Sequence, residues 1–384
     1  MIGSGPDPFG PGPRADAGIY VHIPFCLTRC GYCDFNAYSD LEHLGSRYVG
    51  ALRREADLVA PSWDGQFVSS IFLGGGTPTT RPPEELDGLL RHLCDRFEVA
   101  DDAEVTIEAN PDTVDELSLR KLRAVGYERF SMGAQSFDPS VLRALERLHT
   151  ADSVARAYDA ARAAGYDNVS LDLIYGAHGE SLGSWNSTLE QALGLAPEHV
   201  SAYALTIEPA TALGRKVAAG EVPAPDPDLQ ADMFELACEV LGAAGYGHYE
   251  VSNWARPGYE CRHNLGYWER RPYVGLGAGA HGYRDRHRWW NLRPPAEYIE
   301  TVERGEAPIG GDEHLDPSDD YLEEVFLRMR TFHGVPASWV DAERLTGFLA
   351  EGLLEQRDER VVPTERGMLL LNELVLAITG SRDP

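Results

Sequence analysis

Three cysteines lie close together near the start of the chain, with the spacing C-x3-C-x2-C at Cys26, Cys30 and Cys33. They directly follow an apolar run at 19–23 that is typical of a β-strand. Cysteine thiolates are the usual protein ligands of iron–sulfur clusters. Three of them can bind three irons of a [4Fe–4S] cluster and leave the fourth iron open to another ligand. The spacing therefore predicts a [4Fe–4S] site on one short loop.

Zinc binding and disulfide formation are the two alternative uses of these cysteines. A structural zinc site usually takes four ligands, often from two C-x2-C pairs, and the sequence contains no second pair. A disulfide framework is typical of short secreted domains, whereas this chain has 384 residues and six cysteines. Cys94 and Cys238 fall in helical patterns, where cysteine commonly serves as a small hydrophobic residue. The spacing thus favours the cluster.

The composition, 43% hydrophobic and 25% charged, is that of a soluble globular protein. The length suits one large α/β domain with an appendage, or two domains. A net charge of −27 argues against broad nucleic-acid binding, which needs a basic face. No apolar stretch reaches the roughly 18 residues that a membrane span needs. The Gly/Pro-rich segment 1–17 is predicted to be a flexible tail, and available thiolates suit a reducing cytoplasm.

Strand-like and helix-like patterns alternate through the first two hundred residues at the spacing of βα units. Gly126 and Gly165 follow directly on two of the helical patterns, where a helix commonly ends. Six βα units with parallel strands predict a barrel or a partly open barrel, since a closed one needs eight. The predicted strands are 19–23, 68–73, 103–109, 128–134, 168–174 and 199–207, and the predicted helices are 44–60, 84–97, 115–125, 138–147, 152–164 and 182–195.

The remainder of the chain predicts a smaller unit after an aromatic-rich connection. A helix is expected at 227–244, followed by a stretch rich in Gly, His and aromatic residues at 246–290. Helices at 320–332 and 341–351, a hairpin and a last helix at 364–378 resemble a winged-helix-like appendage, interpreted as a lid or partner surface. The predicted organisation is a tail at 1–17, a barrel at 18–245, a connecting region at 246–316 and a C-terminal domain at 317–384.

Polar residues and glycines recur where the predicted strands end, and barrel active sites lie at those carboxyl ends. Gly74–Gly76 lets the backbone approach a ligand closely. The carboxylate of Glu108 can accept hydrogen bonds from ribose hydroxyls, and Arg147 can pair with a carboxylate. Gln135 and Asp172 follow or end the next strands. Each residue alone is also typical of a structural polar position, and their shared location favours a ligand site.

Together these segments closely resemble the coproporphyrinogen-oxidase-like branch of the radical S-adenosylmethionine (SAM) superfamily, from about residue 18 to the C-terminus. In that superfamily SAM binds the open iron and is cleaved reductively. The resemblance implies a partial (β/α)6 TIM-like barrel with the cluster on the three cysteines. It also implies SAM contacts at Tyr20, Tyr32, Gly75, Gly76, Thr77, Glu108, Gln135, Arg147 and Asp172. The motifs that carry it are IYVHIPFC at 19–26, GGGTPT at 74–79, EANP at 108–111, QSF at 135–137, RLH at 147–149 and DLIYG at 172–176.

Two features divide this branch into an enzyme and a carrier. Oxygen-independent coproporphyrinogen III oxidases carry a fourth cysteine two residues after the third, where this chain has Phe35. They also have a longer segment before the first strand. The stretch Cys261-Arg-His263-Asn264-Leu-Gly-Tyr267-Trp268 instead resembles the signature of HemW-type heme chaperones, which pass heme to acceptor proteins.

The resemblance implies heme binding at His263, Asn264, Tyr267 and Trp268. An imidazole can ligate heme iron, and aromatic side chains offer flat apolar surface to a macrocycle. Cys261 is a candidate second ligand, and a buried His–Asn pair under aromatic residues is the structural alternative. His281, in Gly-Ala-Gly-Ala-His-Gly, is expected only to line a turn.

We therefore predict a heme chaperone that binds a [4Fe–4S] cluster, SAM and heme, with coproporphyrinogen III oxidation as the alternative function. Its partner is a heme-acceptor protein, which the family resemblance suggests is respiratory and membrane-associated.

Overall fold

A computed structural model describes residues 16–380 of the chain. Most of the tail predicted at 1–17 lies outside these residues, and its last two residues already belong to the first strand. Six parallel strands, β1 to β6, follow one another in both sequence and space and form the predicted partial (β/α)6 barrel. The outer edge of β1 pairs with β9 and that of β6 pairs with β8, so β1 and β6 do not pair with each other and the barrel is open. These strands are β1 (Asp16–Ile23), β2 (Phe67–Gly75), β3 (Glu98–Ala109), β4 (Arg129–Gln135), β5 (Asn168–Tyr175) and β6 (His199–Ala204).

The crossover helices begin where the sequence supplies capping side chains. Asp115, Thr150 and Ser181 each accept a hydrogen bond from the backbone N–H three residues further on, which satisfies a group that the helix leaves unpaired. Alternate residues of β1, such as Ile19 and Val21, are fully buried between the sheet and these helices. The helices are α1 (Gly45–Val59), α2 (Pro83–Arg96), α3 (Glu116–Ala124), α4 (Pro139–Ala144), α5 (Ala151–Ala163) and α6 (Leu182–Gly194).

Residues 246–316 extend the same sheet at both of its edges. Strand β9 pairs in parallel with β1, from Gly18 opposite Tyr273 onward, and β10 to β12 continue the sheet as antiparallel strands. Strands β8 and β7 continue it beyond β6. The sequence analysis predicted none of these strands, because runs of three to six residues rich in Gly and His carry little periodic signal. The elements are α7 (Ala212–Ala218), α8 (Pro227–Ala243), β7 (Gly247–Glu250), β8 (Asn253–Ala255), α9 (Arg262–Trp268), β9 (Tyr273–Leu276), β10 (His281–Arg284), β11 (His287–Asn291), α10 (Pro295–Glu303) and β12 (Ile309–His314).

The C-terminal elements form a three-stranded sheet with helices around it, in the predicted order of two helices, a hairpin and a helical end. The last helix, predicted at 364–378, is two helices that break at Leu370. The helix predicted at 138–147 ends at Ala144, and β6 ends at Ala204 rather than at 207. The elements are α11 (Pro317–Arg328), β13 (Val335–Pro336), α12 (Ala342–Ala350), β14 (Leu354–Arg357), β15 (Arg360–Pro363), α13 (Glu365–Leu369) and α14 (Leu371–Thr379).

Backbone hydrogen bonds connect this C-terminal part to the barrel sheet. The N–H of Val251 donates to the carbonyl of Arg330 at 2.9 Å, and Glu250 bridges to Thr331. Within residues 16–380, no helix combines the length and apolar character that crossing a bilayer requires.

Candidate functional site

The three cysteines of the predicted cluster lie on one loop after β1, at the carboxyl end of the barrel. All three are free thiols that are partly buried. The loop is closed at its base, since the N–H of Cys26 donates to Tyr38 at 2.9 Å and that of Tyr38 donates to Pro24 at 2.7 Å. Burial raises the pKa of Cys26, and it raises that of Cys33 to about 11. Three unpaired thiols on one loop form a donor set that fits three irons of a cluster.

The glycine turn after β2 packs directly against the cysteine loop. The N–H of Gly76 donates to Ile23 at 2.8 Å, and that of Thr77 donates to Phe25 at 2.8 Å. A Cβ at Gly76 would lie 2.7 Å from the carbonyl oxygen of Phe25. Gly75 has φ +105°, and a Cβ there would lie 2.4 Å from the ring of His22. Both positions therefore need glycine for the turn to reach the loop.

Thr77 also contacts the cysteine loop through its side chain, because its Oγ1 lies 3.5 Å from the Sγ of Cys26. The N–H of Gly75 points toward the barrel interior and donates to the Oε2 of Glu108 at 3.1 Å. The turn thus lies between the thiols and the first of the predicted carboxylates.

The carboxylates of Glu108 and Asp172 lie inside the barrel, where they line a cavity of about 150 Å³. Burial, and then the nearby charge of Asp172, raise the pKa of Glu108 to about 8, although the hydrogen bond from the Gly75 N–H opposes the shift. Asp172 accepts hydrogen bonds from the hydroxyls of Ser131 at 3.0 Å and Ser201 at 2.9 Å. Burial still raises the pKa of Asp172. The two carboxylates are thus close enough to influence each other's protonation.

Arg147 joins the cysteine loop to the end of β4. Its guanidinium donates to the Sγ of Cys30 at 3.3 Å and to the carbonyl of Gly133 at 3.0 Å. The Nε of Arg147 also donates to the Nδ1 of His149 at 3.3 Å, while the Nε2 of His149 donates to the carbonyl of Ala134 at 2.8 Å. Burial and the Arg147 charge lower the pKa of His149 to about 4, so its ring is neutral and its Nδ1 accepts.

His149 is therefore a positioning residue that the sequence analysis quoted only as part of a motif.

Gln135 ends β4 with φ +57°, a conformation that residues other than glycine adopt rarely. Its Oε1 is buried and has no partner within residues 16–380. Tyr32 lies on the same loop as Cys30 and packs against a small apolar cluster that includes Val141 and Leu145. An unpaired buried acceptor and a cation beside the thiols suit a polar ligand such as SAM.

The heme motif forms α9, and its His263 packs against Gly18 of β1 and Ser70 of β2, in the amino-terminal halves of these two strands. Glu104 of β3 orients this helix, since its carboxylate accepts the N–H groups of Arg262 and His263, each at 3.2 Å. The Sγ of Cys261 lies 3.5 Å from the same carboxylate, and burial raises the pKa of this thiol well above its usual range. The motif thus lies away from the cysteine loop, which follows the carboxyl end of β1.

His263 is 3% exposed, and hydrogen bonds occupy both of its ring nitrogens. Nδ1 lies 2.9 Å from the Oγ of Ser70, and Nε2 lies 2.8 Å from the hydroxyl of Tyr267. The ring stacks on Phe72 with centroids 5.2 Å apart, and burial lowers its pKa to about 3. Iron ligation by His263 would require the loss of one of these hydrogen bonds.

The other motif residues have different surroundings. Asn264 lines the cavity of about 150 Å³, together with Cys261 and His263. Trp268 lies against Glu250, outside this cavity. Tyr267 borders the smaller cavity and also a much larger one.

The larger cavity has a volume of about 910 Å³ and lies between β1, β9 to β11 and α11. Tyr20 and Tyr267 separate it from the barrel interior, since both line both cavities. Phe35 of the cysteine loop and Phe326 of α11 contribute apolar walls. The sequence analysis did not predict this cavity, because its walls come from segments more than two hundred residues apart.

The fold and this site together define the class of protein. The model of the Radical SAM superfamily matches residues 20–192, and that of the HemN C-terminal domain matches residues 315–370. A solved structure of coproporphyrinogen III oxidase (HemN) from Escherichia coli, described as a radical SAM enzyme, superposes with a TM-score of 0.83. It is 24% identical and the match covers 97% of this chain and 92% of that one, which shows a shared fold. The chain is a radical SAM protein.

Relatives of similar length define the family within that class. Heme chaperone HemW of Mycobacterium tuberculosis (strain ATCC 25618 / H37Rv) is 44% identical over 376 residues, which cover 96% of each chain. Heme chaperone HemW of Bacillus subtilis (strain 168) is 33% identical over 374 residues, covering 94% of this chain and 98% of that one. The chain belongs to the HemW family of heme chaperones, and the family predicted from the sequence is confirmed.

Proposed function

We propose that this protein binds heme in the cytoplasm and transfers it to an acceptor protein, and that it carries a [4Fe–4S] cluster and SAM. The observation that carries this proposal is the proximity of the cysteine loop to the large cavity. Phe35, two residues after Cys33, is 62% exposed and lines that cavity. A cofactor on the cysteines would therefore adjoin a space large enough for a macrocycle.

The cluster would be held by Cys26, Cys30 and Cys33. When bound and reduced, such a cluster supplies the electron for reductive cleavage of SAM. Because burial raises the pKa of Cys26 and Cys33, cluster assembly has to release their protons, and the nearby charge of Arg147 favours the thiolate of Cys26. SAM would contact Tyr20, Tyr32, Gly75, Gly76, Thr77, Glu108, Gln135, Arg147 and Asp172.

The heme motif would serve the large cavity chiefly through Tyr267. His263 holds the Tyr267 hydroxyl, and Asn264 and Trp268 directly follow these two residues on α9. Tyr267 offers a flat side chain at the cavity wall, which suits a macrocycle. On this proposal Tyr267 contacts heme, and His263 acts by positioning Tyr267.

Two assays on the anaerobically reconstituted protein test the function. Titration with heme should give a saturable Soret band at one heme per chain. When the heme-loaded protein is mixed with an apo-heme protein and the two are separated, the fraction that contains the chaperone should lose this band. Addition of SAM, reductant and coproporphyrinogen III should give no protoporphyrinogen, because Phe35 replaces the fourth cysteine of the oxidases. The triple variant Cys26→Ala/Cys30→Ala/Cys33→Ala is the control that separates cluster effects from heme binding.

The two outcomes that contradict the proposal are distinct. A lack of heme binding by protein with an intact cluster would reject the carrier function. Accumulation of protoporphyrinogen, absent with the triple variant, would identify the protein as an oxidase.

A further inference from the structure

The histidines around the large cavity differ in whether their ring nitrogens are free. His22 is 6% exposed; its Nε2 donates to the carbonyl of Asn36 at 2.9 Å and its Nδ1 accepts from the hydroxyl of Tyr20 at 3.0 Å. Both ring nitrogens of His263, which lies behind Tyr267, also form hydrogen bonds. His281 lines the cavity and is exposed, and neither of its ring nitrogens forms a hydrogen bond within the part of the chain that the structure describes. It is therefore the imidazole that a ligand can reach without breaking an existing bond.

The hairpin of β10 and β11 holds His281 in a defined position. His281 is the first residue of β10 and pairs with Trp290 of β11, so the two side chains lie on one face, with ring centroids 5.8 Å apart. Gly279, at φ +73°, turns the chain into this strand and packs against Asn36 of the cysteine loop. Burial, and then the charges of Arg288 and Arg293, lower the pKa of His281, which favours the neutral ring that ligates metals.

The cavity also has a cation that is not already paired. Arg270 pairs with Asp320, and Arg288 pairs with Glu323, so these two guanidinium groups are largely neutralised. Arg293 lines the same cavity, is exposed, and forms no ion pair within residues 16–380. Its backbone carbonyl accepts a hydrogen bond from the Nδ2 of Asn36 at 2.9 Å, which fixes this segment against the cysteine loop. A guanidinium in this position suits a carboxylate such as a heme propionate.

Apolar walls complete a site for a planar ligand. Phe35 is 62% exposed and Phe326 is 41% exposed, although large apolar side chains usually avoid water. Both line the cavity, one from the cysteine loop and one from α11. The volume of about 910 Å³ falls within the roughly 300–1,000 Å³ typical of sites for ligands of this size. The cavity thus combines an accessible imidazole, a free cation and uncovered aromatic surface.

We propose that heme binds in this cavity, with His281 as an axial ligand of the iron and Arg293 as a partner of a propionate. The inference rests on the proposed heme-binding function and specifies where and how heme is held. It assigns the axial position to a residue outside the heme motif and leaves His263 as a positioning residue for Tyr267. It also puts heme against the cysteine loop.

Heme titration of His281→Ala, followed in the Soret region, tests the axial ligand. We expect an affinity at least tenfold weaker than that of the wild type and a shifted Soret band, because one nitrogen ligand is lost. His281→Cys should give the different spectrum of thiolate-ligated heme, which a purely structural role of His281 would not produce. His287→Ala is the matched control, since His287 lies on the same hairpin but outside the cavity lining, and should behave as the wild type.

Arg293→Glu tests the propionate partner separately. The variant should weaken heme binding several-fold because of charge repulsion and should leave the position of the Soret band unchanged. Arg286→Glu is its control, because Arg286 is exposed at the hairpin turn and does not line the cavity. Equal losses of heme affinity in Arg293→Glu and Arg286→Glu would indicate a general charge effect and reject the role of Arg293.

The results separate this inference from the function on which it rests. If the wild type does not bind heme, the proposed function fails. If the wild type binds heme and His281→Ala keeps both its affinity and its spectrum, the function stands and the axial assignment is wrong. A spectral change in His263→Ala alone, with cooperative unfolding retained, would assign the ligand to the heme motif instead.

Discussion

At the scale of single residues, Arg147 and the three thiols show how one side chain can serve several purposes. Arg147 contacts Cys30, holds the end of β4 through Gly133, and is itself oriented by His149. A long, flexible arginine contributes defined charge only when its guanidinium is held in this way. The position of the cation beside the thiols therefore depends on His149 as well as on Arg147.

Replacing any one of Cys26, Cys30 and Cys33 by Ala should abolish the visible absorption of the reconstituted cluster. Each thiolate is expected to bind one iron, and two protein ligands do not retain a cluster that already has one open iron. The iron content and visible spectrum after anaerobic reconstitution measure this. Cys94→Ala is the control, since Cys94 is exposed on α2 and should leave the cluster unchanged. A full cluster spectrum in any triad variant would reject the ligand assignment.

Glu180→Gln should reduce the loss of stability that the protein undergoes as pH rises. Glu180 is 5% exposed, and burial raises its pKa from 4.5 to about 7. The folded state thus binds the proton more tightly than the unfolded state. The stability from this group is full below about pH 4.5 and is lost as pH rises through 7, on the order of 3 kcal/mol.

Urea unfolding at pH 5 and pH 8 measures this difference. The Oε2 of Glu180 accepts from the N–H groups of Gly176 and Ala177, which the amide oxygen of Gln can also do. The wild type should lose more stability between the two pH values than the Gln variant. Glu190→Gln, on the exposed face of α6, should lose as much stability between pH 5 and pH 8 as the wild type. Identical losses of stability in Glu180→Gln and the wild type between the two pH values would contradict the raised pKa of Glu180.

At the scale of elements, the approach of the β2 turn to the cysteine loop depends on glycine. Gly76→Ala should destabilise the protein by about 1–3 kcal/mol and reduce cluster incorporation, because the new Cβ meets the backbone of Phe25 and Ile23. Thermal unfolding and iron content together measure the effect. Gly50→Ala in α1, where a Cβ meets nothing within 4 Å, should instead stabilise the helix by up to about 1 kcal/mol. Unchanged iron content in Gly76→Ala would show that the turn does not support the loop.

At the scale of the whole molecule, Arg270 joins the barrel sheet to the C-terminal part. Its side chain is 9% exposed, pairs with Asp320 of α11 and donates to the hydroxyl of Tyr283 at 2.6 Å. Arg270→Ala should lower the free energy of unfolding by about 3 kcal/mol, since it leaves the mostly buried carboxylate of Asp320 without its ion-pair partner. It should also weaken heme binding, because α11 forms one wall of the large cavity.

The stability of Arg270→Ala is best compared with that of Arg304→Ala. Arg304 pairs with Glu306 on the surface, with both side chains more than half exposed, so its loss should change stability by less than about 1 kcal/mol. Equal effects of the two substitutions would show that the contact between the sheet and α11 contributes little to folding.

Much of the barrel could be predicted because its signals are local. The six parallel strands have alternating or continuous burial within six to twelve residues, and helix ends such as those before Gly126 and Gly165 lie in short motifs. The cysteine spacing is local as well, since a loop of eight residues brings its thiols together whatever the surrounding fold. The radical SAM class and the heme chaperone family, which rest on such motifs, are confirmed. The domain boundaries and the individual SAM and heme residues remain predictions.

Only the tertiary structure decided which side chains are available for chemistry. Ser70 lies 193 residues from His263, and Cys30 lies 117 residues from Arg147, yet each pair is in hydrogen-bonding contact. His281 differs from His263 in lacking such a partner within residues 16–380. These contacts depend on strand order and register, and the pairing of β9 with β1 in particular brings the last third of the chain beside the first strand. A side chain's partners across such distances leave no periodic pattern in the sequence, so availability for binding emerges only when the sheet has formed.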